Sequence, residues 1–179
     1  MKAYIPLILI LVVVIGGIVF VFAMSGKQPE IYNPITSVGE IIRIELNATN
    51  GSSAIIEYRY KGMAFETRIG SYANKANIIG EKYQLEFDEN KPENCKVYLD
   101  KPVFLENEKT IKTTGVIKKI SPTNHKELTG IVFEYKVKEN SITRAQSISI
   151  SLKDILSKGQ EYTVEYWYNN PKRAIIYIE

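Results

Sequence analysis

The chain has 179 residues, 45% apolar and 24% charged, a normal globular balance in which neither number suggests disorder. Its 23 basic and 20 acidic side chains leave a formal charge of +3, too little to mark a nucleic-acid surface, so no nucleic-acid partner is expected. The single cysteine, Cys95, rules out an intrachain disulfide.

The first element is an apolar run. MKAYIPLILILVVVIGGIVFVFAM, residues 1–24, carries one charged side chain, Lys2, and nothing polar between Pro6 and Met24. At about 1.5 Å of rise per residue, residues 3–24 would span roughly 33 Å as a helix, enough to cross a hydrocarbon core of about 30 Å. A cleaved signal peptide has a shorter apolar region, about 7–15 residues, that ends in a small-x-small site. Val21-Phe22-Ala23 is a poor site of that kind. The expectation is an uncleaved single-pass transmembrane anchor over residues 1–26, with the lipid bilayer as partner through residues 3–24. Lys2 ahead of the run has the pattern of a signal-anchor and places the rest of the chain outside the cytoplasm. Without Lys2, 22 basic residues face 20 acidic ones, so the remainder is close to neutral.

A linker at residues 27–38 leads into short strands with period-two alternation, expected near residues 40–46, 54–61, 63–71, 81–87 and 96–99. In IIEYRYK, residues 55–61, Ile56, Tyr58 and Tyr60 alternate with Glu57, Arg59 and Lys61, as in a half-buried antiparallel strand. Lys61-Gly62 marks a hairpin turn, and an Asn-x-Pro turn is expected at Asn90 and Pro92. These elements form module 1, residues 39–100. The linker KPVFLENEKT, residues 101–110, offers Val103, Phe104 and Leu105 as a contact between modules, and module 2 occupies residues 111–179.

Module 2 repeats module 1. With a shift of 79, GEKYQLEFDENKP (residues 80–92) falls on GQEYTVEYWYNNP (residues 159–171), matching Gly80, Tyr83, Asn90 and Pro92 to Gly159, Tyr162, Asn169 and Pro171. With a shift of 77, Glu57 and Tyr58 meet Glu134 and Tyr135. With a shift of 76, Gly39, Ile41 and Arg43 meet Gly115, Ile117 and Lys119. A unit this small buries a low fraction of its surface, so the copies are expected to pack together. The connector before Gly159 has an N-cap candidate in Ser151 and reads as one or two helical turns. The expected fold is all-β, with the transmembrane helix followed by two tandem five-stranded β-barrel-like modules, OB-like or SH3-like.

The paired patterns V-x-Y-x-V-x-G and G-x-x-Y-x-V-x-Y-x-x-x-N-P resemble a widespread group of small bacterial β-domains of unknown function attached to a membrane helix. Glu57, Tyr58, Tyr60, Gly62, Gly80, Tyr83, Phe87, Asn90 and Pro92 carry the pattern in module 1. Glu134, Tyr135, Val137, Gly159, Tyr162, Tyr166, Asn169 and Pro171 carry it in module 2, which departs by placing Glu139 where the hairpin glycine would be. The resemblance implies architecture and membrane attachment, not chemistry.

Catalytic signals are weak. His125 is the only histidine, so a transition-metal site lacks ligands and no metal is expected. Cys95 aligns with Ala174 and reads as a small packed thiol. Asp88-Glu89 and the pair Glu106 and Glu108 read as solvated turns, without calcium-loop spacing. No cofactor and no catalytic residue are expected. The informative difference between the copies is Trp167-Tyr168, which stands where module 1 has Asp88-Glu89; it reads either as cover for the contact with module 1 or as a partner-binding patch. The expected function is a non-catalytic membrane protein displaying two β-modules for protein interaction or envelope assembly, the alternative being a glycan- or lipid-binding module.

Overall fold

The computed structural model describes residues 30–46, 52–70, 78–123 and 125–178. The expected anchor, the start of the linker at residues 27–29, most of the loop at 47–53 and the connector at 71–77 lie outside the described residues. Among the described residues no helix is long and apolar enough to cross a membrane.

Among the described residues, ten strands form two five-stranded antiparallel sheets. The first contains β1 (Pro34–Leu46), β2 (Ser52–Tyr60), β3 (Met63–Ile69), β4 (Lys82–Asp88) and β5 (Lys91–Val103), in the order β3-β2-β1-β4-β5. The second contains β6 (Thr110–Pro122), β7 (Leu128–Val137), β8 (Asn140–Ser149), β9 (Glu161–Trp167) and β10 (Asn170–Tyr177), and its order β10-β9-β6-β7-β8 is the same topology. The end strands approach each other, β3 with β5 and β8 with β10, so the sheets are barrel-like. Residues from Ile31 onward form one compact unit.

β1 starts at Pro34, six positions ahead of the strand expected from alternation, because it serves two partners in succession. Residues 34–40 pair with β4, and residues 40–46 pair with β2. The change of partner falls at a bulge between Ile41 and Arg43. There Ile41 N–H donates to the Glu81 carbonyl at 2.8 Å, and Gly80 N–H donates to the Ile41 carbonyl at 2.8 Å. Module 2 repeats the device. Its bulge lies between Ile117 and Lys119, with Gly159 N–H on the Ile117 carbonyl at 2.8 Å and Ile117 N–H on the Gln160 carbonyl at 3.1 Å. Gly80 and Gly159 hold φ of 91° and 88°, a region that side chains disfavour.

The repeated tyrosine and proline meet in space. In both copies the ladder skips residues after the β4–β5 and β9–β10 turns, between Lys91 and Cys95 and between Asn170 and Ala174. Pro92 and Pro171 sit in these bulges, where their missing N–H breaks no ladder bond. The carbonyls of both prolines accept from the hydroxyls of Tyr58 and Tyr135, reaching across from β2 and β7. The same rings fill the cores. Tyr58 stacks on Phe87 at 5.4 Å, and Tyr135 stacks on Tyr166 at 6.0 Å. Ile41, Ile56, Leu85, Ile117, Phe133 and Val164 are fully buried around them.

Turn details explain the departure at Glu139. Lys61 and Gly62 both hold positive φ, 48° and 81°, as a two-residue hairpin of mirror-image type requires. In the matching turn Lys138 alone does, at 56°, so the position occupied by Glu139 needs no glycine. The expected helical connector is a 3-10 helix, Ile150–Ile155, capped by Ser149 rather than Ser151: the Ser149 hydroxyl accepts from Ser151 N–H at 3.4 Å.

Gly39 and Gly115 lie beneath the cores. A Cβ on Gly39 would stand 2.4 Å from Ile56 Cγ2 and 2.6 Å from Leu85 Cδ2, and one on Gly115 would stand 2.5 Å from Val164 Cγ2. Gly39→Ala and Gly115→Ala are each expected to cost about 1–3 kcal/mol by overpacking, measured by urea unfolding. An unchanged midpoint in either variant would contradict the close approach.

Candidate functional site

The two modules meet where β5 passes β8, and two ionic clusters, one buried and one partly buried, hold the seam. The first joins Glu81, just ahead of β4, to Arg144 on β8; they are 6% and 7% exposed. Arg144 Nη2 donates to Glu81 Oε1, while Oε2 accepts from Ile78 N–H at 3.0 Å and from the Tyr83 hydroxyl at 3.3 Å. Burial pushes the Glu81 carboxyl above its ordinary range, with Arg144 pulling against it.

The second cluster centres on Glu108, in the short passage from β5 to β6. Arg173, only 3% exposed, grips it with both ends of the guanidinium, Nη1 to Oε1 at 2.6 Å and Nη2 to Oε2 at 2.8 Å. Lys82 Nζ reaches Oε1 at 2.9 Å, and Leu105 N–H reaches Oε2 at 2.8 Å. Burial alone would raise the Glu108 carboxyl; the bonds from Arg173, Leu105 and Lys82 outweigh it and bring the pKa to about 2. The guanidinium also lies over the rings of Phe104 and Trp167, 5.0 Å and 5.2 Å from their centroids. A cation held by two aromatic rings and a bidentate carboxylate is a strong, orientation-specific contact.

The structure therefore sends the two aromatic residues of β9 and its turn different ways. Trp167 is half-buried against Arg173 in the seam. Tyr168 is 52% exposed; its N–H donates to the Lys109 carbonyl at 2.9 Å, and Lys109 Nζ lies 4.4 Å from its ring. Of the three linker residues expected at the contact, Phe104 and the Val103 carbonyl meet Arg173, while Leu105 is exposed. The crevice at the seam, bordered by Glu81, Arg144 and Arg173, measures about 10 Å³, the room of one water and no ligand. A larger open groove of about 350 Å³ crosses the outer face of module 1, between Val38, Glu40, Glu57, Arg59, Lys82 and Leu105.

Sequence reasoning missed both ionic clusters. A signal for them did exist: the charged residues of both clusters, and Trp167 with them, are mismatches between the copies. Glu81 faces Gln160 in the alignment, Arg144 faces Thr67, Arg173 faces Asn94, Glu108 faces Tyr32 and Trp167 faces Asp88. Residues that make one module stick to the other have no use in both.

Asp88 and Glu108 correct the reading of the acidic pairs as solvated turns. Asp88 is 3% exposed, and its carboxylate accepts four backbone N–H groups: Tyr32 and Asn33 on Oδ2 at 2.7 and 3.1 Å, Asn90 and Lys91 on Oδ1 at 2.9 and 3.2 Å. The bond from Tyr32, then those from Asn33, Asn90 and Lys91, hold it below the ordinary aspartate range. The turn is thus built on Asp88 rather than on Asn90 and Pro92. Unfolded Asp and Glu titrate near about 3.9 and 4.3. Two depressed carboxylates give stability that is complete above those values and is lost as pH falls from about 4 toward about 2. Glu81 works in the opposite sense, since protonation favours its folded form. The expected result is a melting temperature that falls steeply below about pH 4, and less steeply in Asp88→Asn; equal slopes would remove Asp88 as a cause.

Cys95 is buried, 8% exposed, and burial pushes its thiol up to about 11. His125 is exposed in its loop. Among the described residues no group of three or more His, Cys, Asp and Glu side chains is placed to hold a metal ion. No known family matches the chain, and no curated protein matches it.

Proposed function

We propose that the protein is a non-catalytic, single-pass membrane protein that displays two β-modules outside the cytoplasm as a rigid pair for protein interaction or envelope assembly. The observation that carries this reading is the seam. Glu108, Arg173, Phe104 and Trp167 fix one module against the other, so surfaces on both keep a constant relation, which suits a partner that touches both. The same reading makes the chain a member of the membrane-attached group that its motifs resemble; the matched Tyr58–Pro92 and Tyr135–Pro171 bonds and the left-handed Gly80 and Gly159 give those motifs a structural task. Each module is an OB-like barrel. Support comes from a β1 that pairs with both β2 and β4 while β3 approaches β5, an order that favours it over the SH3-like alternative.

Tyr168, a half-exposed ring beside Lys109, is the partner contact, because tyrosine supplies binding energy at low entropic cost. Affinity capture from detergent-solubilised membranes should lose the partner on Tyr168→Ala with an unchanged melting temperature. Capture that survives the substitution would remove Tyr168 from the interface. A topology reporter fused after Glu179 should respond outside the cytoplasm, and a cytoplasmic response would overturn the orientation.

A second reading rests on the groove of about 350 Å³ in module 1. Its charged rim suits a glycan better than an acyl chain, and a saccharide panel in a thermal-shift assay should then raise the melting temperature of the wild type but not of Arg59→Ala.

A further inference from the structure

We infer that the end of module 1 where the chain enters β1 rests on the membrane interface, a contact separate from the apolar anchor. Three segments converge there. Asp88 ties Tyr32 and Asn33 to the β4–β5 turn, and Glu89 N–H donates to the Asn33 carbonyl at 2.9 Å. From the β2–β3 hairpin, the Tyr60 hydroxyl and Lys61 Nζ reach Glu89 Oε1 at 2.8 and 3.5 Å, and Met63 pairs with Tyr60 beside them.

What this end presents is amphipathic. Tyr32 is 77% exposed and Met63 58% exposed, with Lys61 and Lys91 exposed around them. Of the acids at this end, Asp88 is engaged by backbone N–H groups and Glu89 by Lys61 and Tyr60, and Glu93 is exposed two residues after Lys91. Aromatic and thioether side chains ringed by lysine match the headgroup region, where amphipathic rings and snorkelling cations are both favoured. Resting on the anchor reading, the inference draws its occupant from chain length. Apolar sequence ends at Met24 and β1 begins at Pro34, so residues 25–33 at full stretch cover roughly 30 Å. A surface held that close to a bilayer meets it at high effective concentration, so weak contacts suffice.

The test uses the full chain in vesicles of equal parts phosphatidylcholine and phosphatidylglycerol. Cys95→Ala, the residue module 2 has at that position, removes the native thiol. Met63→Cys, Lys91→Cys and, as a control in the β7–β8 turn of module 2, Glu139→Cys then each carry an environment-sensitive dye. Flotation after an alkaline wash reports the anchor, and quenching by headgroup-nitroxide lipid reports the contact. Flotation with quenching roughly twofold greater at 63 and 91 than at 139 is expected for a surface lying within the interfacial zone. Flotation with equal quenching at all three sites overturns the docking and keeps the anchor. Failure to float overturns the anchor reading and the docking with it.

Discussion

Arg173→Ala is expected to destabilise the protein by about 3–5 kcal/mol, the range found when one member of a buried, hydrogen-bonded ion pair is removed. Arg173 is 3% exposed, and its loss leaves Glu108 inside the seam with Lys82 as its remaining cation and takes from Trp167 and Phe104 the cation that lies over both rings. Urea unfolding measures the change. Lys172→Ala, an exposed neighbour, should fall within about 0.5 kcal/mol of wild type. Adding Glu108→Gln to Arg173→Ala should recover part of the loss, because the stranded charge is then gone. A loss for Arg173→Ala no larger than that for Lys172→Ala would show that the seam does not depend on it.

Arg144→Ala should cost a similar amount, about 3–5 kcal/mol, and here the double substitution is the sharper result. The Glu81 carboxyl sits above its ordinary range because burial outweighs the pull of Arg144, so this pair gives orientation more than stability. Glu81→Leu combined with Arg144→Met is therefore expected to return to within about 1 kcal/mol of wild type. If the double variant stays as unstable as Arg144→Ala alone, the bonds from Ile78 and Tyr83 to Glu81 matter more than the pair.

The strands were legible where alternation is local. Ile56, Tyr58 and Tyr60 declare their buried face in the sequence, and the matched block at Phe133, Tyr135 and Val137 declares it again. The first six residues of β1 were not legible: Thr36, Ser37 and Val38 alternate weakly, and their partner β4 lies some fifty residues on. Asp88 misled for a related reason, since a lone acid beside a turn looks solvated until Tyr32 and Asn33 are brought over it. The Glu81–Arg144 and Glu108–Arg173 pairs join residues more than sixty positions apart, and no local pattern encodes such a contact. Trp167-Tyr168 drew attention as a mismatch between copies, and the same comparison applied to Glu81 and Arg173 points at the clusters. It does not separate Trp167, turned into the seam, from Tyr168, turned out of it; only the placement of Arg173 on the neighbouring strand β10 does that.

Differential scanning calorimetry of the full chain in detergent tests the rigid pair most directly. Two modules joined through Glu81, Arg144, Glu108 and Arg173 should unfold in one transition, with calorimetric and van't Hoff enthalpies equal, and Arg144→Ala with Arg173→Ala should split it in two. Two separate transitions in the wild type would contradict the rigid pair.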